Sequence, residues 1–129
     1  MKRLLEKLQR MEQAVSLEKG PFDLFALILP RSSVGGWDLM VAASWIKSQK
    51  EGLDFFTDLL RRCLTEEEIL RMSRIIILHQ DSATLKRIRQ EFGAMGDVRE
   101  MKDTSFFGLP VKRAYIIAGP RTPLALTAR

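Results

Sequence analysis

Apolar residues recur along the first part of the chain at intervals of three and four. They are Met1, Leu4, Leu8, Met11 and Val15, and the residues between them are mostly Lys, Arg, Glu and Gln. This spacing places one apolar stripe on a helix and predicts an amphipathic helix over residues 1–19, ended by Gly20 and Pro21. Such a stripe is typical of a helix packed on its own sheet, and a two-heptad dimerisation helix is the alternative.

Two extended apolar runs, residues 22–30 and 37–46, flank a loop rich in serine and glycine and predict an antiparallel hairpin. Centring the pairs on this loop places Leu24 opposite Ala43 and Ala26 opposite Val41. Both faces of the hairpin are then apolar. A sheet with two apolar faces must be covered on both, by helices of its own chain or by a second copy, and the pattern therefore favours a homodimer.

Two capping-box patterns, at residues 48–51 and 65–68, predict that a helix begins after each. The first helix carries Gly52 in its first turn, where we expect a small cost. Its apolar stripe includes Cys63, which we therefore expect to lie on the buried face.

The run RIIILHQDS, residues 74–82, is rich in β-branched residues and predicts a central strand buried on both faces. A helix capped by Asp81 or Ser82 follows it. An edge strand near residue 98 and a return strand over 111–118 predict a second hairpin, which turns at residues 108–110.

The assembled order is N-terminal helix, hairpin, helical crossover, central strand, helix and C-terminal hairpin. It predicts an α+β fold with a mixed sheet of about five strands and helices packed on the sheet. We expect one domain over residues 1–120 and a flexible tail over 121–129.

The composition of the chain limits its expected cellular location and its possible partners. The chain has 129 residues, of which 46% are hydrophobic and 29% charged, and its uncharged apolar stretches are shorter than the roughly 20 residues that span a bilayer. We therefore expect a cytoplasmic protein with no membrane partner. The single cysteine excludes an intrachain disulfide. The net charge of +5 and pI near 9.7 leave nucleic acid open as a partner.

The strand end at His79 is the first candidate site. His79, Asp81, Ser82 and Lys86 lie where a strand passes into a helix, a position that favours anion binding. A ligand site there is one interpretation, and a hydrolase that acts on a phosphate or acyl group near His79 is another. The competing interpretation is a plain helix cap, because the glycines of a phosphate-binding loop are missing.

Lys86, Arg87 and Arg89 form the second candidate, a basic surface for nucleic acid. No recognised nucleic-acid motif accompanies them, and solvated helix faces have the same composition. The hairpin register separates Asp23 from Asp38, so we predict no metal site, and no motif indicates a cofactor. The sequence thus favours a small binding or regulatory module that self-associates, with an unidentified ligand, over an enzyme.

Overall fold

The structure is a computed structural model, and it describes residues 2–31, 35–95, 100–106 and 108–119. These residues form an α+β fold with four helices and a mixed five-stranded sheet, as the sequence predicted. The elements are α1 (Lys2–Lys19), β1 (Leu24–Pro30), β2 (Trp37–Ala42), α2 (Gln49–Cys63), α3 (Glu66–Leu70), β3 (Met72–Ile77), α4 (Ala83–Met95), β4 (Glu100–Phe106) and β5 (Leu109–Ala118). The predicted tail, residues 121–129, lies outside the described residues.

The N-terminal helix packs on the sheet of its own chain. Its buried residues are Leu4, Leu8, Met11 and Val15, which confirms the predicted stripe, while Met1 lies outside the described residues. Gly20 ends the helix with a φ of 125°, and its N–H donates to the carbonyl of Ser16. The carbonyl of Gly20 accepts a hydrogen bond from Trp45 Nε1 at 3.0 Å, which ties the helix end to the chain after β2.

The strand order is β3-β2-β1-β5-β4, with β2 and β3 parallel and the other neighbours antiparallel. The predicted parallel crossover into the isoleucine run is therefore confirmed, but the prediction that this strand is central was wrong. β3 is an edge strand with β2 as its neighbour, and only Ile77 of its three isoleucines is buried. An apolar run indicates burial of side chains, which helices can supply at an edge as well as at the centre.

The register of the first hairpin differs from the prediction by one residue. Leu24 pairs with Ala42 and Ala26 with Met40. Because side chains alternate along a strand, this shift moves every β2 residue to the opposite face. Val41 consequently packs with the aromatic cluster beneath α1 and α2, and Met40 packs on the other side.

Helices of this chain cover both apolar faces of the sheet. α1 and α2 pack on one face, where Phe56 is fully buried. α4 contributes Leu85 and Ile88 to the cluster on the other face. A second copy is therefore not required to cover the sheet, and the predicted homodimer needs a separate argument.

The crossover helices begin at the predicted caps. The hydroxyl of Ser48 accepts from the N–H of Glu51, and Thr65 and Glu68 form a complete capping box. Cys63 is exposed, contrary to the prediction. The buried stripe of α2 proceeds in steps of four from Gly52 and is continued after the helix by buried Leu64, so Cys63 falls beside it.

The C-terminal hairpin turns one residue earlier than predicted. Phe106 pairs with Leu109, so β5 already begins at Leu109 and the turn contains residue 107, outside the described residues, and Gly108. Gly108 has a φ of 98°, which a glycine adopts without steric cost.

Candidate functional site

The predicted ligand site lies on the surface between β3 and α4. Ser82 Oγ accepts from the N–H of Leu85 at 3.0 Å, which is a helix-capping bond. His79 Nδ1 accepts from the N–H of Asp81 at 3.1 Å, and the side chains of these two residues are 74% and 86% exposed. Lys86 is exposed on the first turns of the helix. Local capping accounts for this geometry, and ligand binding or hydrolysis at His79 stays a prediction.

The predicted basic surface on α4 divides among different partners. Arg89 lies 3.4 Å from Asp23 and donates to the side-chain oxygen of Gln80. The guanidinium of Arg87 lies against Gly108 in the turn of the C-terminal hairpin. Lys86 is left as an exposed cation on the same helix. The three side chains do not converge on one phosphate-sized position, and nucleic-acid binding there also stays a prediction.

Carboxylates do not gather into a metal site within the described residues. Asp38 is 2% exposed and is paired with Arg74, whose Nη2 lies 2.7 Å from its Oδ2. The hydrogen bond that Arg74 donates to this buried carboxylate, and then the charge of the carboxylate, raise the pKa of Arg74. Asp38 and Arg74 are register partners on β2 and β3, so the ion pair fixes a permanent cation at the edge of the sheet.

The open edge of β3 is the most distinctive surface of the molecule. In a parallel ladder, the N–H and C=O groups of alternate residues point to the same neighbour. The N–H of Leu78 donates to the carbonyl of Val41 on β2, so Ile75 and Ile77 point their backbone groups away from β2. The register shift between Trp37 and Asp38 interrupts this alternation at Ser73. The outward carbonyl of Ile77 accepts from Gln49 Nε2 at 2.6 Å. The outward N–H and C=O of Ile75 have no protein partner among the described residues.

An apolar groove runs beside this edge, between α2 and β3. It encloses about 290 Å³. Its lining consists of Leu53, Thr57, Leu60, Arg61, Ile69, Met72, Ser73, Arg74 and Ile75. Leu53 is 37% exposed in the groove wall, and Leu70, two residues before β3, is 83% exposed. Two of the four large apolar side chains that are exposed in the described part of the chain therefore flank the same edge.

The opposite edge of the sheet has a different character. β4 carries the exposed side chains of Glu100 and Lys102. Charged residues on an edge strand oppose pairing with another strand, because pairing would desolvate them. β3 carries one charged residue, Arg74, and three isoleucines. Of the two edges, β3 is therefore the one suited to strand addition.

The sequence interpretation missed this edge because it treated the isoleucine run as central. The signal that separates the two positions is the polar start of the run, Ser73 and Arg74, which a strand buried on both faces does not tolerate. Comparisons with protein-family models, with curated proteins and with solved structures found no match to this chain. Among the described residues, no helix has both the length and the apolar character needed to cross a membrane.

Proposed function

We propose that this protein is a cytoplasmic interaction module that forms a homodimer by pairing β3 with β3 of a second copy. The observation that carries the proposal is the unpartnered outward backbone of Ile75 beside an apolar groove. Strand addition uses main-chain hydrogen bonds for affinity and adjacent pockets for specificity. A free, exposed Cys63 is typical of a reducing compartment, which supports the cytoplasmic assignment.

Electrostatics selects one register for this pairing. An antiparallel pair with Ile75 on the two-fold axis exchanges both hydrogen bonds between the two Ile75 residues and places Arg74 opposite Ile76 of the second copy. An axis at Arg74 would instead bring two guanidinium groups face to face, and like charges directly opposite each other destabilise a pair. The axis at Ile75 is therefore preferred.

The charge pattern of α2 fits the same axis. Gly52 lies beside Ile77. Moving from Ile77 back to Ile75 covers about 6.6 Å along a strand, which corresponds to about four residues of helix and leads to residues 56 and 57. The groove-facing stripe of α2, Leu53, Thr57 and Arg61, is centred on that position. The pairing register of β3 and the groove-facing stripe of α2 thus place the two-fold axis at the same point.

An antiparallel copy of α2 across this axis would meet its partner with complementary charge. Between Lys50 and Asp58 the helix has one positive and three negative side chains, whereas Arg61 and Arg62 follow at its end. The axis near Thr57 brings Arg61 toward Leu53 and Asp54 of the second copy. The stem of Arg61 would cover Leu53 while its guanidinium approaches Asp54. This complementarity favours a second copy over an unrelated strand.

Sedimentation equilibrium of the full chain tests the proposal. The expected species is a dimer of twice the 14.8 kDa chain mass. Arg61→Glu should raise the dissociation constant of the dimer about 30-fold. Each of the two symmetric contacts would change from an attraction of about 0.5 kcal/mol to a repulsion of about 0.5 kcal/mol. Asp54→Arg combined with Arg61→Glu should restore most of the affinity.

Arg62→Glu is the matched control. It makes the same change of charge one residue further along, where Arg62 pairs with Asp58 and does not line the groove. We expect this variant to dimerise like the wild type. A monomer at high micromolar concentration would refute the proposal, and equal weakening by Arg61→Glu and Arg62→Glu would refute this interface. Circular dichroism establishes that each exposed substitution leaves the fold intact.

A further inference from the structure

A basic cleft lies at the end of the sheet away from His79. It has a volume of about 510 Å³ and is lined by Leu29, Arg31, Trp37, Lys112 and Arg113. Three strands bring these residues together, because β1 ends where β2 begins and where antiparallel β5 starts. The N–H of Arg31 donates to the carbonyl of Pro110 at 3.1 Å and fixes the end of β1 against β5.

An irregularity in the β1–β5 pairing explains why two successive cations line one cleft. Leu29 pairs with Arg113 and Pro30 with Val111, so Lys112 is an extra residue in β5. In a regular strand Lys112 and Arg113 would point to opposite faces, and a bulge redirects one side chain. Bulges of this kind are frequent beside binding sites.

The cleft carries an excess of positive charge over an apolar floor. Arg31 and Lys112 are exposed and have no carboxylate partner among the described residues. Arg113 donates to the hydroxyl of Tyr115 at 3.1 Å, and its Nε lies 3.9 Å from Glu100. The floor consists of Leu29 and of Trp37, whose ring lies 5.8 Å from the ring of Tyr115 at a tilt of 33°.

We infer that this cleft binds the phosphate groups of a nucleotide, either free or within a single strand of nucleic acid. Convergent cations are what phosphates require, and the half-buried Leu29 beside Trp37, which is 9% exposed, leaves a small apolar surface against which a base can pack. The volume falls within the range of about 300–1,000 Å³ typical of ligand pockets. The inference does not depend on the proposed dimer, and it locates nucleic-acid binding away from Lys86, Arg87 and Arg89.

Fluorescence anisotropy with a labelled oligothymidylate of about eight nucleotides tests the inference on the full chain. Three phosphate contacts on a single strand predict that affinity falls about 20-fold between about 50 and 200 mM salt. Arg31→Gln combined with Lys112→Gln should leave one contact and reduce this dependence to about threefold. Competition by thymidine diphosphate distinguishes a site for free nucleotides from a site for a single strand of nucleic acid. Full displacement assigns the site to free nucleotides, and displacement only by unlabelled oligomer assigns it to a strand.

The matched control is Lys2→Gln combined with Lys47→Gln, which removes the same charge from two exposed lysines outside the cleft. This variant should bind the oligomer with the salt dependence of the wild type. Absence of binding at about 25 mM salt would overturn the inference. Equal loss in both double variants would also overturn it, since only net charge would then matter. Tripolyphosphate that competes as well as thymidine diphosphate would remove the role of the apolar floor.

Discussion

Gly52 offers a test in which sequence and structure predict opposite signs. In a helix, replacing glycine by alanine stabilises by about 0.8–1 kcal/mol. At Gly52, however, an added Cβ would lie 3.0 Å from Ile46 Cγ2 and 3.2 Å from Ile77 Cδ1. Overpacking of a well-filled site costs about 1–3 kcal/mol. We therefore expect Gly52→Ala to lower the free energy of unfolding by about 1 kcal/mol.

A second substitution measures how much of this cost comes from the contact with Ile77 Cδ1. Ile77→Val removes the Cδ1 atom that the new methyl group would meet, at a cost of about 0.5–1.5 kcal/mol on its own. In that background the new methyl group still meets Ile46 Cγ2 at 3.0 Å and the Cγ1 atom of residue 77 at 3.3 Å, which valine retains. Gly52→Ala should therefore be nearly neutral there, because only part of the overpacking is relieved. The two substitutions should thus be coupled by about 1 kcal/mol.

Urea denaturation followed by circular dichroism measures all four proteins of this cycle. They must be compared at one protein concentration, because self-association adds to apparent stability. Coupling below about 0.5 kcal/mol would refute the reasoning, since the contact with Ile77 Cδ1 would then contribute little to the cost of the added methyl group. A stabilising Gly52→Ala in the wild-type background would show that the helix preference outweighs the contact.

Three further predictions concern the core and the second capping box. Phe56→Ala should destabilise the protein by about 3–5 kcal/mol in urea denaturation, because the fully buried ring contacts four other aromatic rings. Thr65→Ala should raise the free energy of the folded state by about 1 kcal/mol, since its hydroxyl accepts from the N–H of Glu68, and thermal unfolding measures this loss. The hydrogen bond from Lys7, and then that from the N–H of Thr65, hold the pKa of Glu68 below its ordinary value of 4.5. A lowered folded-state pKa stabilises above the ordinary value, so the advantage of the wild type over Glu68→Gln should shrink as the pH falls below about 4.5.

Each of these predictions has a contrary result. A loss below about 1.5 kcal/mol for Phe56→Ala would mean that the aromatic cluster closes over the gap. Unchanged thermal stability of Thr65→Ala would mean that water replaces the Thr65 hydroxyl as the acceptor for the N–H of Glu68. A Glu68→Gln difference that is constant from pH 3 to pH 7 would contradict the ion pair with Lys7, which joins α3 to α1 at 2.7 Å.

Local chemistry determined much of this fold. The spacing of Leu4, Leu8, Met11 and Val15 specified the first helix, and the patterns at Ser48 and Thr65 specified where two others begin. Such signals are readable because they involve residues within about one turn of each other. The mixed, five-stranded α+β fold followed from the order of these elements.

The candidate sites were harder to predict from the sequence than the fold was. The sequence directed attention to His79 and to Lys86, Arg87 and Arg89, which are neighbours along the chain. The two surfaces on which the proposals rest combine distant segments. The groove joins α2 to β3, and the cleft joins Arg31 to Lys112 across the sheet. Proximity of this kind depends on strand order and on a bulge, and neither leaves a local pattern.

The hydrophobic pattern by itself established that the isoleucine run forms a strand, and its isoleucines are buried or half-buried. Only the tertiary structure decided that this strand lies at the edge, because β1 pairs with β5 on its far side and β2 is left to take β3. It also decided the hairpin register, where a shift of one residue exchanges the faces of β2. Side-chain burial is a property of sequence periodicity, whereas the partner of a strand's backbone is a property of the whole sheet.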